Sequence, residues 1–251
     1  MRFDIMTLFP DMVDGVLKES IIGRARAAGI ITVRTHNIRD YSENKHRRVD
    51  DTPYGGGKGM LMAAPPIYNC YCAVKQEIET ELHQQAESDN QPTREWKSRV
   101  IYLSPKGQIL NQSIAKRLTD YDGLILLCGH YEGVDQRIVD EIVDEEISIG
   151  DYVLTGGELP ACILVDCVAR LLDGVLAAPE CYEEESISCG MLEYPQYTRP
   201  YEYHGVKVPD ILISGHHAKI DDWRRAEALE ATKQKRPDLL EPTNDKCESL
   251  D

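Results

Sequence analysis

The sequence predicts an α/β fold, and three patterns support that prediction. Near the start, the strand-like segment Ile5–Phe9, two helix-like segments and the strand-like segment Ile30–His36 alternate as in an α/β layer. An apolar run, Leu124–Cys128, has the length and residue types of a buried strand. Further along, apolar residues recur at the spacing of one helix face, at Ile163, Leu164, Cys167, Val168 and Leu171.

The first helices are short, and their ends carry recognisable signals. Asp11 is a suitable N-cap for a helix that continues to Lys18. A second helix, predicted over Ile21–Ala28, is followed by Gly29, a residue common just after helix C-termini.

A long polar segment follows the second strand, and it contains a basic run and a glycine-rich run. Lys45–Arg48 would suit phosphate groups, although a solvated surface run is the alternative. Gly55–Gly59 lies in a loop long enough to be functional. Because the GxxxxGK[ST] pattern is absent, the sequence does not indicate a nucleoside triphosphatase.

The middle of the chain is predicted as helix, connection, strand and helix. The helix covers Ala63–Thr80, and the polar residues 81–98 are expected to form an exposed, mobile connection. The strand Arg99–Leu103 ends in a loop at Ser104–Gly107, and the next helix covers Asn111–Leu118.

Two further strand-like segments end in glycine-bearing loops. Leu124–Cys128 leads into Gly129 and Gly133, and Glu146–Ile149 leads into residues 150–157. Glycine permits positive φ and close approach of a ligand to the backbone, although ordinary turns are the alternative. Loops at the carboxyl ends of parallel strands converge, so one shared ligand site is expected here.

The helix after these loops is predicted to begin near Glu158. It places Asp166 and Arg170 four residues apart on one face. The pair is either a surface ion pair or the means of directing Arg170 into the glycine loops, where a cation would meet an oxyanion.

After Asp173 the periodicity fails, which predicts an acidic linker and then a second, smaller domain. The predicted boundaries are 1–176 for the first domain, 177–190 for the linker and 191–251 for the second domain. A helix over Lys219–Lys235 belongs to the second domain. His216 and His217 are interpreted as a helix start that contacts RNA, because no third ligand stands at a zinc spacing.

The composition is that of a soluble globular protein without a membrane helix. The formal net charge is -15, yet local clusters of Lys and Arg could still hold RNA. The eight cysteines form no CxxC pair and the N-terminus lacks a signal-peptide layout, so a cytoplasmic protein with reduced thiols is expected.

Four motifs give the chain a specific resemblance. The motifs DDTPYGGGKGM, YLSPKG, GHYEGVDQR and SIGDYVLTGGELPA resemble those of the bacterial tRNA (guanine-N1)-methyltransferases, the TrmD family of the SPOUT class. The resemblance covers most of the chain. It implies a parallel sheet with a deep trefoil knot, a small, mainly helical C-terminal domain that binds tRNA, and a homodimer whose active site is shared between subunits. One departure is Lys58, where the family often has proline.

The resemblance also implies methyl transfer from S-adenosylmethionine to N1 of guanosine 37 in tRNA. It assigns Arg170 and Glu185 as catalytic residues; Glu185 stands where the family has aspartate, and Glu184 is the alternative base. Magnesium supports activity in the family, but no metal-ligand spacing occurs in this sequence. The implied cofactor contacts are Tyr102, Leu103, Ser104, Pro105, Gly129, Tyr131, Glu132, Ile149, Gly150, Asp151, Tyr152, Val153, Leu154, Gly156 and Gly157.

Two other functions remain open from the sequence. A ribose 2′-O-methyltransferase of the same class would not need a carboxylate base in the linker. A catalytically inactive tRNA-binding module would not bind the cofactor.

Overall fold

The structure is a computed structural model that describes residues 1–177, 186–187 and 190–240. The chain divides into two compact units, Met1–Ala177 and Ala178–Asp251. Most of the predicted linker, 177–190, lies outside the described residues, including Glu184 and Glu185.

The first unit is built on a five-stranded parallel sheet, which confirms the predicted α/β class. In chain order the strands of this unit are β1 Arg2–Thr7, β2 Thr32–Asn37, β3 Asp50–Asp51, β4 Leu61–Met62, β5 Ser98–Ile109, β6 Gly123–Cys128 and β7 Glu145–Ser148. The five strands of the sheet stand in the order β2-β1-β6-β5-β7, and β3 and β4 form a separate antiparallel pair.

Helices cover both faces of the sheet, so its central strands are buried on both sides. The helices are α1 Pro10–Leu17, α2 Ser20–Ala27, α3 Ala64–Asp89, α4 Gln112–Leu118, α5 Gln136–Ile142 and α6 Glu158–Ala169. One core joins Phe3, Ile5 and Leu126 to α1, α2, α4 and α6, and a second core joins Met6 and Leu127 to α3 and α5.

Several helix boundaries differ from the predictions, most of them by one or two residues, and two of the differences have a clear physical reason. Asp11 is not the N-cap of α1: Phe9 takes that position, Pro10 opens the helix, and the side chain of Thr7 accepts a hydrogen bond from the Phe9 N–H at 2.9 Å. The prediction that an exposed connection begins at residue 81 is also wrong, because α3 continues to Asp89 and ends at Asn90 in the left-handed conformation.

A buried charge network explains why the second half of α3 stays on the sheet. Glu81 of α3 accepts a hydrogen bond from Arg2 at 2.7 Å, and Arg2 also binds the carboxylate of Asp4 at 2.6 Å. Asp4 is buried and contacts His36 at 2.9 Å. Burial alone would raise the pKa of Asp4, but the hydrogen bonds from His36 and Arg2 outweigh it and hold that pKa below its usual value.

The predicted loop at residues 104–107 is part of an irregular strand. β5 continues to Ile109, and its pairing with β7 shifts register between Leu103 and Gln108. The four residues between form a bulge that leaves the plane of the ladder. The helix α5 was not predicted, because its seven residues lie in a run dominated by charged side chains.

The second unit contains a hairpin and one long helix in its described part. The strands β8 Glu202–Tyr203 and β9 Val206–Lys207 pair in antiparallel fashion. The helix α7 covers His217–Lys235 and buries Ile220, Ala228 and Thr232. Across the described parts of both units, no helix combines the length and apolar character needed to cross a membrane.

Candidate functional site

A cavity of about 320 Å³ lies at the bulge of β5 and at the carboxyl ends of β6 and β7. Its walls come from the bulge of β5, the loop after β6 and the loop that leads from β7 into α6. The lining residues are Leu61, Tyr102, Leu103, Ser104, Pro105, Lys106, Gly129, His130, Tyr131, Glu132, Gly133, Val134, Gln136, Val139, Glu146, Ile147, Ser148, Ile149, Tyr152, Val153, Leu154, Thr155, Gly156, Gly157 and Pro160.

The loops after β6 and β7 are held together at their backbones. The Gly157 N–H donates to the Gly129 carbonyl at 2.9 Å, and His130 forms a β-bridge with Gly156. A Cβ atom at Gly157 would lie 2.7 Å from the Cα of Cys128 and 3.0 Å from the Gly129 nitrogen. Glycine is therefore required at position 157 by the close approach of two chain segments.

Tyr102 forms one wall of the cavity. Its ring packs so closely on Gly129 that a Cβ there would lie 2.8 Å from the hydroxyl oxygen. Burial of the ring and the nearby negative charge of Glu146 raise the pKa of Tyr102 to about 12. The hydroxyl therefore stays protonated at neutral pH and can donate a hydrogen bond in the cavity.

The glycine-rich segment is attached to the loop after β6. The Glu132 N–H donates to the Met60 carbonyl at 3.0 Å, and the Met62 N–H donates to the Gly133 carbonyl at 2.9 Å. A Cβ atom at Gly59 would lie 2.5 Å from the Glu132 carboxylate. The glycine-rich segment thus lies directly against a cavity residue.

Tyr131, between these attachments, has a left-handed backbone conformation. Its φ is +59°, which a side chain larger than glycine adopts at some cost in energy. Its hydroxyl lies 3.4 Å from the guanidinium of Arg39. The loop after β6 therefore holds a strained residue at the cavity wall.

Arg170 does not lie at this cavity within one chain. It is the C-cap of α6, twelve residues beyond Glu158, which corresponds to about 18 Å along the helix axis. The cavity lies at the other end of α6, next to Gly157. Arg170 is therefore not among the residues that line the cavity of its own chain, and its assignment as a catalytic residue stays a prediction.

The family is shown by comparison with known proteins. A family model described as tRNA (Guanine-1)-methyltransferase TrmD matches residues 1–242. The chain belongs to this family.

Three curated relatives carry the name tRNA (guanine-N(1)-)-methyltransferase. The one from Ruminiclostridium cellulolyticum is 52% identical over 240 residues, covering 96% of each chain. The one from Alkaliphilus oremlandii is 54% identical over 96% of this chain and 92% of its own. The one from Clostridioides difficile is 53% identical over 98% of this chain and 100% of its own.

The structure brings most of the residues implied by the family resemblance to the cavity. All of the predicted cofactor contacts line it except Gly150 and Asp151. Those two residues lie in the same loop, where Gly150 has a φ of +147° and packs against the ring of Tyr152. Their assignment as cofactor contacts stays a prediction, as does the assignment of the residues that line the cavity.

Several cavity residues were missed from the sequence. Lys106, His130 and Gln136 lie within the quoted motifs, so the motifs themselves could have identified these residues as part of the site. For Glu146 the sequence predicts only a position in a strand. The alternation of side chains along that strand would have placed it on the face opposite Glu145.

The remaining predictions concern the base and a metal. Glu185 and its alternative Glu184 lie outside the described residues, so the structure places neither of them. Among the residues that are described, no group of three or more His, Cys, Asp or Glu side chains is arranged to hold a metal ion.

Proposed function

We propose that this chain transfers a methyl group from S-adenosylmethionine to N1 of guanosine 37 in tRNA. The observation that carries the proposal is the cavity formed by the bulge of β5 and the loops after β6 and β7, in a chain that belongs to the tRNA (guanine-1)-methyltransferase family. Such crevices at strand carboxyl ends are the usual ligand sites of open parallel sheets.

The cavity has features that suit S-adenosylmethionine. Its volume of about 320 Å³ lies at the lower end of the range for small-molecule sites. Glu132 and Glu146 offer carboxylates to a cationic ligand, and Tyr102 and Ser104 offer hydroxyl groups. Gly129, Gly156 and Gly157 let the segments that wall the cavity pack closely against one another.

S-adenosylmethionine supplies an electrophilic methyl group on a positively charged sulfur. The protein must hold the guanine edge against that methyl, accept the N1 proton and stabilise negative charge on O6. We assign the proton to the carboxylate of Glu185, with Glu184 as the alternative, and the O6 contact to the guanidinium of Arg170. Both assignments rest on the family resemblance.

We also propose a homodimer with shared active sites. Two facing helices of the first unit, α1 and α6, expose apolar side chains four residues apart: Met12 and Val16 on α1, and Leu159 and Ile163 on α6, each 41–49% exposed. Such a surface suits a partner subunit. Because Arg170 lies about 18 Å along α6 from its own cavity, it would serve the cavity of the partner.

The remaining parts of the proposal come from the family. We propose that residues 1–176 form the knotted cofactor domain, that 177–190 link it to a tRNA-binding domain over 191–251, and that the enzyme is cytoplasmic. We further propose that magnesium supports activity, as the family resemblance implies.

A methyl-transfer assay tests the proposal. Radiolabelled S-adenosylmethionine and a tRNA transcript with guanosine 37 should give labelled RNA, and a transcript with another base at 37 should not. Digestion to nucleosides should place the label on the base. A label on ribose would instead indicate 2′-O-methylation, which the names of the relatives do not favour, and cofactor binding without transfer would indicate an inactive module.

A further inference from the structure

Glu146 is a cavity residue with no assigned role. It lies on β7 next to Glu145, and successive side chains of a strand point to opposite faces. Glu145 binds Arg117 at 2.7 Å on one face. Glu146 is paired in register with Tyr102, so their side chains share the other face, which carries the cavity.

The surroundings of Glu146 are unusual for a carboxylate. It is half-buried, and Val139 and Val134 line the same cavity. Within the described residues, its carboxylate takes part in no hydrogen bond or ion pair, whereas that of Glu145 has two arginine partners, Arg117 and Arg99. A half-buried carboxylate without a partner gains stability from a cation that enters the cavity.

The charges that line the cavity reinforce this point. Two acids, Glu132 and Glu146, line it, and the one lysine or arginine among the lining residues is Lys106, whose side chain is exposed. Glu132 likewise has no hydrogen bond or ion pair to its carboxylate in the described part of the chain. The cavity therefore presents net negative charge to its ligand.

We propose that Glu146 is a specificity-determining residue that biases the cavity toward the cationic methyl donor and against the neutral sulfide left after transfer. The inference rests on the proposed function. S-adenosylmethionine and S-adenosylhomocysteine differ by one methyl group and one positive charge, so a carboxylate in a partly water-excluded site separates them electrostatically. Loss of the charge on methyl transfer then favours product release.

The test compares the two dissociation constants in matched variants. Titration calorimetry with S-adenosylmethionine and with S-adenosylhomocysteine is performed on the wild-type chain, Glu146→Gln and the control Glu145→Gln. In Glu146→Gln we expect the ratio of the donor's dissociation constant to the product's to rise at least about fivefold. Two opposite unit charges near a protein surface attract each other by more than about 1.4 kcal/mol, the energy that corresponds to a tenfold change in affinity. Glu145→Gln should leave the ratio unchanged, because Glu145 lies on the other face.

Further variants keep the test decisive. Glu146→Asp keeps the charge and should keep most of the preference for S-adenosylmethionine over S-adenosylhomocysteine. If Glu146→Gln fails to fold, Glu146→Met removes the charge with an apolar side chain of similar length. An unchanged ratio in a folded, uncharged variant would overturn the inference, and so would equal weakening of both ligands, which would indicate a hydrogen bond to their common part. A wild-type chain that binds neither ligand would instead refute the proposed function.

Discussion

Replacing Gly157 with alanine tests whether the close contact between β6 and α6 builds the cavity. Gly157 has a φ of -84°, which alanine adopts freely, so the substitution introduces no backbone strain. The added methyl group, however, would lie 2.7 Å from the Cα of Cys128 and 3.0 Å from the Gly129 nitrogen. Both are backbone atoms, which cannot rotate away as a side chain can.

The expected cost follows from that geometry. Overpacking a rigid site lowers the free energy of unfolding by about 1–3 kcal/mol. We expect a loss at the upper end of this range, because α6 must shift away from β6. For a domain of this size, such a loss lowers the melting temperature by about 6–12 °C. The same shift would break the Gly157–Gly129 hydrogen bond of 2.9 Å and open the cavity wall, so cofactor affinity should fall at least about tenfold.

Thermal unfolding and cofactor calorimetry measure both effects, and Gly15→Ala is the matched control. Gly15 lies inside α1, and apart from the neighbouring residues and backbone of that helix no atom lies within 4 Å of the position that its Cβ would occupy. Alanine there should therefore stabilise the helix by about 0.5–1 kcal/mol without affecting the cofactor. The native mass should be checked for both variants, since α1 belongs to the proposed dimer surface. A Gly157→Ala chain with wild-type stability and affinity would refute the close-contact argument.

Four further predictions concern the charge network and the proposed chemistry. Asp4→Asn should lower the free energy of unfolding by about 3–5 kcal/mol at neutral pH. Because folding lowers the pKa of Asp4, the difference in unfolding free energy between variant and wild type should shrink as pH falls below about 3.8. A pH-independent difference in urea unfolding would contradict this. Arg170→Ala should lower turnover by ~10²-fold or more with little change in cofactor affinity, and unchanged turnover would remove Arg170 from the mechanism. Glu185→Gln should abolish methyl transfer and Glu185→Asp should retain much of it, whereas an active Glu185→Gln with an inactive Glu184→Gln would move the base to Glu184. Mixing Arg170→Ala with Gly157→Ala subunits, assayed at a cofactor concentration too low to fill the Gly157→Ala cavity, should restore activity at roughly a quarter of sites if Arg170 serves the partner's cavity; background activity with confirmed exchange would show that it does not.

The sequence alone determined the parts of this protein that depend on neighbouring residues. The run Leu124–Cys128 is apolar at every position, so it predicts a strand buried on both faces whatever surrounds it. The glycines after β6 and β7 indicated the loops that line the cavity, because a glycine in the sequence points to a position where a side chain does not fit. Contiguous motifs of the same segments also carried the family resemblance, which the comparisons confirmed.

Only the tertiary structure decided features that join distant segments. The contact between Glu81 of α3 and Arg2 joins residues 79 positions apart, and no local pattern contains it. The distance of Arg170 from its own cavity follows from the direction of α6, and the half-buried setting of Glu146 beside Tyr102 follows from strand register. Helix and strand formation is governed by residues a few positions apart, whereas the charge and shape of a site are set by side chains that folding brings together from across the chain.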